Sequence, residues 1–293
     1  MVTTQKNHLK ILDNYRDRVN SRLNEYFNQS SALGDKMRYS VLAGGKRFRP
    51  ILTYTTASVF GLELKQADSC ACAVELIHVY SLIHDDLPAM DDDDMRHSQP
   101  ANHIRFGEGQ AILAGDGLQA LAFDVLTQDN NISTDIRVNL VRQLSKAAFE
   151  MAEGQSIDLS IVSKDVEIDL LYLMHRKKTG ALIQCAVMMG ASLNPELSSE
   201  DSSILNSFSQ DIGLAYQVQD DVLDVTTADE MLGKRQNSDI EKGKPTFPSI
   251  LGMDESIKVY QSLYEKASEE VSRLSVDESP LRELSKKLLS RSY

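Results

Sequence analysis

The chain has 293 residues, 42% of them hydrophobic and 6% aromatic, with no Trp. That is the balance of a globular protein, long enough to bury a sizeable core. Its net charge of −12 excludes nucleic acid or an anionic membrane surface as a general partner, and no apolar run is long enough to span a bilayer. Cys70, Cys72 and Cys185 make no disulfide framework, and Cys70-x-Cys72 has no second pair to complete a metal site. Buried, reduced thiols in a cytoplasmic protein are expected. The opening MVTTQKNHLK has no apolar core, so no signal peptide is expected.

Taken in order, the first helix is predicted over Ile11–Phe27, where Ile11, Leu12, Tyr15, Val19, Leu23 and Phe27 form one stripe. Gly34-Asp35 breaks the pattern. A short helix, Lys36–Leu42, leads to Gly44-Gly45-Lys46-Arg47-Phe48-Arg49-Pro50, and Pro50 suits the first turn of a helix over Ile51–Phe60. Gln66–Asp86 is mostly apolar and reads as a buried helix closed by Leu87-Pro88. Further helices are predicted over Glu108–Leu126, Thr134–Asp158 and Asp169–Leu193. Ser198-x-x-Asp201 reads as a capping box opening a helix that runs to Val225. A polar loop, Thr226–Lys244, precedes two last helices, Glu255–Leu274 and Leu281–Leu289. Period-two alternation is absent and no interior linker interrupts the chain. The expectation is an all-α fold, a single large helical bundle forming one domain over residues 1–293.

The stretch that demands explanation is LIHDDLPAMDDDD, Leu82–Asp94, with aspartates at 85, 86 and 91–94. At ~4 Å two like charges repel by roughly 4 kcal/mol at an effective dielectric near 20. An acidic run at the mouth of an apolar helix therefore calls for cations between the carboxylates, or for retained protons. Magnesium, which combines one or two carboxylates with substrate phosphates, fits such a run. A capped surface turn made by Asp and Pro88 is the plainer reading. A second cluster, Gln217-Val218-Gln219-Asp220-Asp221-Val222-Leu223-Asp224, puts Asp220 and Asp224 at i and i+4 on one face of an apolar helix. The pair of clusters could hold metals between them across a bundle, around a central cavity.

Such a site needs an anionic partner, and basic residues flank both clusters. Lys46, Arg47 and Arg49 precede a helix start, where backbone N–H groups favour anions. Lys177-Lys178 interrupt an apolar helix, and Lys234, Lys242 and Lys244 follow the second cluster. Each alone reads as a solvated charge. Together they suggest two diphosphates, one bridged by Mg²⁺ and one held directly by Lys and Arg.

These residues resemble the short-chain trans-isoprenyl diphosphate synthases, most closely the bacterial farnesyl-producing type. The resemblance rests on GGKRFRP (Gly44–Pro50), ELIHVYSLIHDDLPAMDDDDMR (Glu75–Arg96), FGEGQAILAGDGLQALAF (Phe106–Phe123), GQSIDL (Gly154–Leu159), HRKKTGALI (His175–Ile183), GLAYQVQDDVLDV (Gly213–Val225) and LGKRQNSDIEKGKPTFP (Leu232–Pro248). It implies an isoprenoid-synthase bundle and an enzyme joining isopentenyl diphosphate head-to-tail to an allylic diphosphate, dimethylallyl and then geranyl. It implies a homodimer and three Mg²⁺ per active site. Asp85, Asp86 and Asp91 look like the first aspartate motif, and Asp220, with Asp221 and Asp224, like the second. Arg96, Lys178, Lys234 and Lys244 resemble ligands of the allylic diphosphate. Gln217 is similar to a residue that positions the second cluster. Lys46, Arg49 and His78 resemble isopentenyl diphosphate ligands. Thr179, before Gly180, resembles the position whose carbonyl faces the developing carbocation. In the family Mg²⁺ helps the diphosphate depart and an apolar pocket excludes water.

By the same resemblance, bulk beneath the first motif sets product length. Tyr80, with Ser81 next to it, lies more than a turn below Asp85 on roughly the same side. Tyr80 reads as a pocket floor or as a plain core aromatic; with the inserted Pro88-Ala89 it points to a farnesyl product. Geranyl and geranylgeranyl diphosphate synthases are the near alternatives. A terpene cyclase or a non-catalytic partner subunit is more distant, because the aspartates of both motifs and Lys46/Arg49 are all present. Three positions depart from the family. Arg96-His97-Ser98 stands where two Arg and a Gly are usual, Glu153 where Gly is, and Tyr216 where Phe is. His97 cannot make a bidentate fork, which predicts weaker, pH-dependent isopentenyl diphosphate binding.

Overall fold

The computed structural model describes residues 2–28, 31–226 and 242–290, with side chains from residue 10 onward. The described residues are overwhelmingly helical. They form two compact units, residues 1–144 with 189–195, and residues 145–188 with 196–293.

The first unit is built on α1 (Val2–Glu25), α2 (Ala32–Val41), α3 (Phe48–Val59), α4 (Leu64–Asp85), α5 (Asn102–Phe106) and α6 (Glu108–Thr127). α7 (Thr134–Ile161) begins in it. Helix α4 is the core element. Ala67, Cys70, Ala71, Cys72, Ala73, Val74, Leu76 and Ile77 are all fully buried, as expected of a helix apolar all round. Small residues let α6 approach it closely. A Cβ on Gly115 would lie 2.2 Å from His84 Nε2, so only glycine leaves room for that imidazole, which meets the Ile112 carbonyl at 3.0 Å. Asp68 ties three helices together. It accepts two bonds from Arg18 at 2.6 and 2.7 Å and one from the Tyr54 hydroxyl at 2.7 Å.

The second unit holds the end of α7, α8 (Ile168–His175), a π-helical turn (Arg176–Gly180) and α9 (Ala181–Ser192), whose last residues return to the first unit. It continues through α10 (Ser199–Thr226), α11 (Phe247–Leu251), α12 (Met253–Val271) and α13 (Ser279–Leu289). Ile161, Leu171, Met174, Leu214, Val218 and Phe247 pack as one apolar cluster. The capping box at the start of α10 is present: Asp201 N–H donates to Ser198 Oγ at 3.0 Å, and Ser198 Oγ donates to the Asp201 carboxylate at 2.8 Å. Tyr264 donates to Gln219 at 3.1 Å, and Gln219 in turn to the Leu289 carbonyl at 3.1 Å.

Four details differ from the periodicity. The first helix begins at Val2, well before its apolar stripe. A two-residue antiparallel hairpin, β1 (Met95–Arg96) with β2 (Gln99–Pro100), occupies the expected loop after the acidic run. It is too short to show alternation. Its turn residues, His97 and Ser98, have φ of +51° and +61°, the left-handed pair of a tight hairpin turn. The helix predicted over Asp169–Leu193 is interrupted by the π turn, and α5 and α11 are short helices that periodicity cannot register. All three cysteines are buried thiols that take part in no disulfide. Burial pushes the Cys72 thiol well above its usual range and the Cys185 thiol to about 12.

Candidate active site

The chain folds back as it leaves α4. The Asp91 N–H donates to the Asp85 carbonyl at 2.8 Å, the Met90 N–H to Leu87 at 2.8 Å and the Asp93 N–H to Asp86 at 3.2 Å. The turn needs a left-handed residue, and Asp92 supplies it at φ +54°, a conformation Asp tolerates. Asp85 and Asp91, six positions apart in sequence, are thereby neighbours. Both are half-buried, while Asp86 is buried. Arg96 of β1 donates to Asp86 and Asp93. Burial raises the Asp86 carboxyl above the usual range, although Arg96 opposes the shift.

The other basic residues of this unit divide sharply. Arg47, the left-handed residue capping α3 (φ +50°), turns inward to Glu75 at 2.7 Å and the Val41 carbonyl at 2.5 Å. Lys46 is exposed and Arg49 half-buried. His78 is held well below the usual imidazole range, first by burial and then by the charges of Arg49, His97, Arg47 and Arg96. It is therefore neutral at pH 7. The ring of His97 lies against Gly45, 3.4 Å from where a Cβ would stand. Loss of water around the ring, and then Arg96, Arg47 and Lys46, lower its pKa as well. The head of α3 and the hairpin thus gather cations around the neutral His78 of α4. Tyr80 of α4 lies edge-on to His84 at 5.4 Å, with Gln119 of α6 beside its hydroxyl. Ser81 Oγ donates to the His78 carbonyl at 2.8 Å.

In the second unit the π turn carries Lys177, Lys178 and Thr179. Its wide turn frees backbone carbonyls from regular i→i−4 pairing, and glycines on both sides let it sit close. A Cβ on Gly154 of α7 would lie 2.1 Å from Lys178 N, and one on Gly213 of α10 would lie 3.0 Å from Gly180 Cα. Thr179 Oγ1 donates to Gln217 at 2.8 Å, and Gln217 Nε2 donates to Asp221 at 3.0 Å. The Phe247 N–H caps the other Asp221 oxygen at 3.1 Å, with His175 Nε2 3.4 Å away. Asp221, expected among the metal ligands, is thus 2% exposed with both oxygens engaged. Asp220 is half-buried and Asp224 buried. Lys178 and Lys244 both reach the buried Asp158, a residue the acidic-cluster pattern does not single out although the GQSIDL segment contains it. Glu153 pairs with Lys177 at 2.6 Å, which accounts for an acid at that position. Lys234 lies outside the described residues.

Among the described residues no three His, Cys, Asp or Glu side chains form a ready-made metal cage. The donor set still suits magnesium. It is all hard carboxylate oxygen, and Mg²⁺ takes one or two carboxylates and completes its shell with water and phosphate.

Residues 30–277 match the polyprenyl synthetase family. The chain belongs to that family. Its members transfer prenyl groups, and this chain is a prenyltransferase with an all-α fold. It is 43% identical over 270 residues to the farnesyl diphosphate synthase of Escherichia coli K12, covering 90% of each chain. It is 44% identical over 241 residues to the geranylgeranyl diphosphate synthase of Cyanophora paradoxa, covering 81% and 80%. Among solved structures, the geranyltransferase of Helicobacter pylori, determined with magnesium and isoprenyl diphosphate, superposes with a TM-score of 0.85 at 29% identity, over 96% of each chain. No described helix is long and apolar enough to cross a membrane.

Proposed function

We propose that the chain condenses isopentenyl diphosphate with dimethylallyl and then geranyl diphosphate, releasing farnesyl diphosphate and diphosphate. The observation that carries this reading is the turn after α4, whose Asp91–Asp85 backbone bond of 2.8 Å sets two hard ligands side by side. Asp85, Asp86 and Asp91, with Asp220 and Asp224, would hold three Mg²⁺ against the allylic diphosphate. When bound, the metal supplies Lewis acidity to the departing diphosphate. Asp221 holds Gln217 and the start of α11 in place, so its part is to position the second cluster.

Arg96, Lys178, Lys234 and Lys244 bind the allylic diphosphate directly and neutralise the charge that builds on it as the C–O bond breaks. Lys46, Arg49, His78 and His97 hold the isopentenyl diphosphate. The neutral state of His78 suits a hydrogen-bonding role rather than a charged one. Thr179, fixed through Gln217, turns its carbonyl dipole toward the allylic cation. Tyr80, packed edge-on against His84, floors the prenyl pocket beside Ser81 and stops growth at fifteen carbons. Both units of the chain act as one catalytic domain, in the cytoplasm. The exposed Ile112 and Leu113 of α6 and Val138 of α7 offer apolar surface for a second copy in a homodimer.

The deciding experiment is an assay of purified protein with Mg²⁺, isopentenyl diphosphate and each allylic primer, with products separated by chromatography. Farnesyl product is expected, and chelation should stop the reaction. A geranyl or geranylgeranyl product would overturn the length assignment. Asp220→Ala should lower kcat by about 10²–10³-fold, and an unchanged rate would remove the metal role.

A further inference from the structure

Asp158 sits on α7, 3% exposed, and one of its oxygens serves two cations. Oδ2 accepts from Lys178 Nζ at 2.6 Å and from Lys244 Nζ at 3.1 Å. Burial would push this carboxyl up, but the two ammonium groups outweigh it and hold the carboxyl below its usual range. It is ionised at neutral pH. The two lysines come from separate segments, the π turn and the stretch before α11. Both segments are also docked through their backbones, one on α7 and one on the turn that follows it. The missing side chain of Gly154 admits Lys178 N, and the Ser163 N–H donates to the Gly243 carbonyl at 2.8 Å.

We propose that Asp158 is a positioning residue for diphosphate binding, holding the ammonium groups of Lys178 and Lys244 side by side as a two-pronged clamp. The inference rests on the reading of these lysines as diphosphate ligands. Two ammonium groups sharing one oxygen are no further apart than two hydrogen-bond lengths. Without a counter-ion they would repel, and one would splay into water or shed its proton. With Asp158 the trio keeps a net single positive charge, still attractive to an anion. Each ammonium carries three donors and gives one to the carboxylate. The ordering of two flexible side chains is then complete before substrate arrives, which lowers the cost of binding.

The test is calorimetric titration of the full chain with inorganic diphosphate and Mg²⁺, alongside steady-state kinetics. Asp158→Asn keeps the shape and removes the charge. It should weaken inorganic diphosphate by about tenfold or more and raise the allylic KM to match, with the isopentenyl diphosphate KM unmoved. In that background Lys178→Ala should cost much less than in the parent protein. Equal or tighter diphosphate binding by Asp158→Asn would overturn the proposal, as would an equal cost of Lys178→Ala in both backgrounds. Asp158→Glu retains the charge but displaces the oxygen, and should also bind weakly; parental affinity there would reduce the role to charge balance and overturn positioning. This variant keeps the test open if Asp158→Asn fails to fold. If Lys178→Ala and Lys244→Ala each bind diphosphate as the parent does, the ligand reading falls too. If they weaken it and Asp158→Asn does not, only the clamp falls.

Discussion

His97 concentrates the chemistry peculiar to this chain in one side chain. It occupies the left-handed turn of the hairpin, beside Arg96 and against Gly45. Loss of water around the ring, and then its cationic neighbours, keep its pKa below the usual value, so at pH 8 it is neutral and adds no charge to an anion site. Affinity for isopentenyl diphosphate should therefore rise as pH falls through that lowered pKa. His97→Arg should tighten binding by about 5–100-fold at pH 8, the range of one charged hydrogen bond. The pH slope between 6 and 8 should flatten to that of the substrate's own phosphate. Titration of isopentenyl diphosphate into both proteins reads this directly, and parallel slopes would show that His97 does not contact the substrate. Its neighbour Ser98 holds a left-handed φ of +61° that glycine would adopt without strain. The family habit of Gly at that position thus has a backbone reason.

At the scale of elements, the π turn is where pattern and structure part company. Apolar spacing across Asp169–Leu193 is continuous, because a π turn adds a residue without breaking the buried face. Only the Lys177-Lys178 pair and Gly180 mark the spot. What imposes the turn is not in its own five residues. It is Gly154 on α7 and Gly213 on α10, whose missing side chains let the backbone close in. Gly154→Ala should therefore cost about 1–3 kcal/mol, because the atom it meets at 2.1 Å is a backbone nitrogen that cannot swing aside. Thermal unfolding should show the loss, and kcat should fall with it, since Lys178 and Thr179 ride on the displaced turn. The long helices α4, α7 and α10 were legible to within a few residues. Each buries an apolar face, and α10 carries its own cap. The hairpin, α5 and α11 were not, being shorter than any periodicity can register. The same limit of scale applies to the site. Both aspartate motifs and most of the basic residues stand out in one dimension as runs of charge. Asp158 does not, because what defines it is two lysines that arrive from distant parts of the chain. Nor does spacing distinguish Arg47, committed to Glu75, from Lys46 and Arg49 beside it.

For the molecule as a whole, acid should be the weak flank. The carboxyls of Asp158 and Asp201 lie below their usual range. Burial pushes each up, but Lys178 and Lys244 at the first, and the Ser275 and Ser198 groups at the second, pull further down. A depressed folded pKa stabilises above the unfolded value near 3.9 and is lost as pH falls through the lower folded one. Thermal midpoints should thus be level above about pH 5 and decline below about pH 4. Asp158→Asn should flatten part of that decline, and a decline of the same steepness would show that the pair contributes nothing to stability.

The three interior thiols have a practical corollary. Shielded from solvent, Cys70, Cys72 and Cys185 should ignore maleimide at neutral pH, and burial keeps the Cys72 and Cys185 thiols protonated as well. A lone cysteine engineered onto the surface would then be the single attachment point for a fluorophore or spin label, with no need for a thiol-free background. Distances between the two halves of the chain could be followed through a catalytic cycle with the native interior untouched.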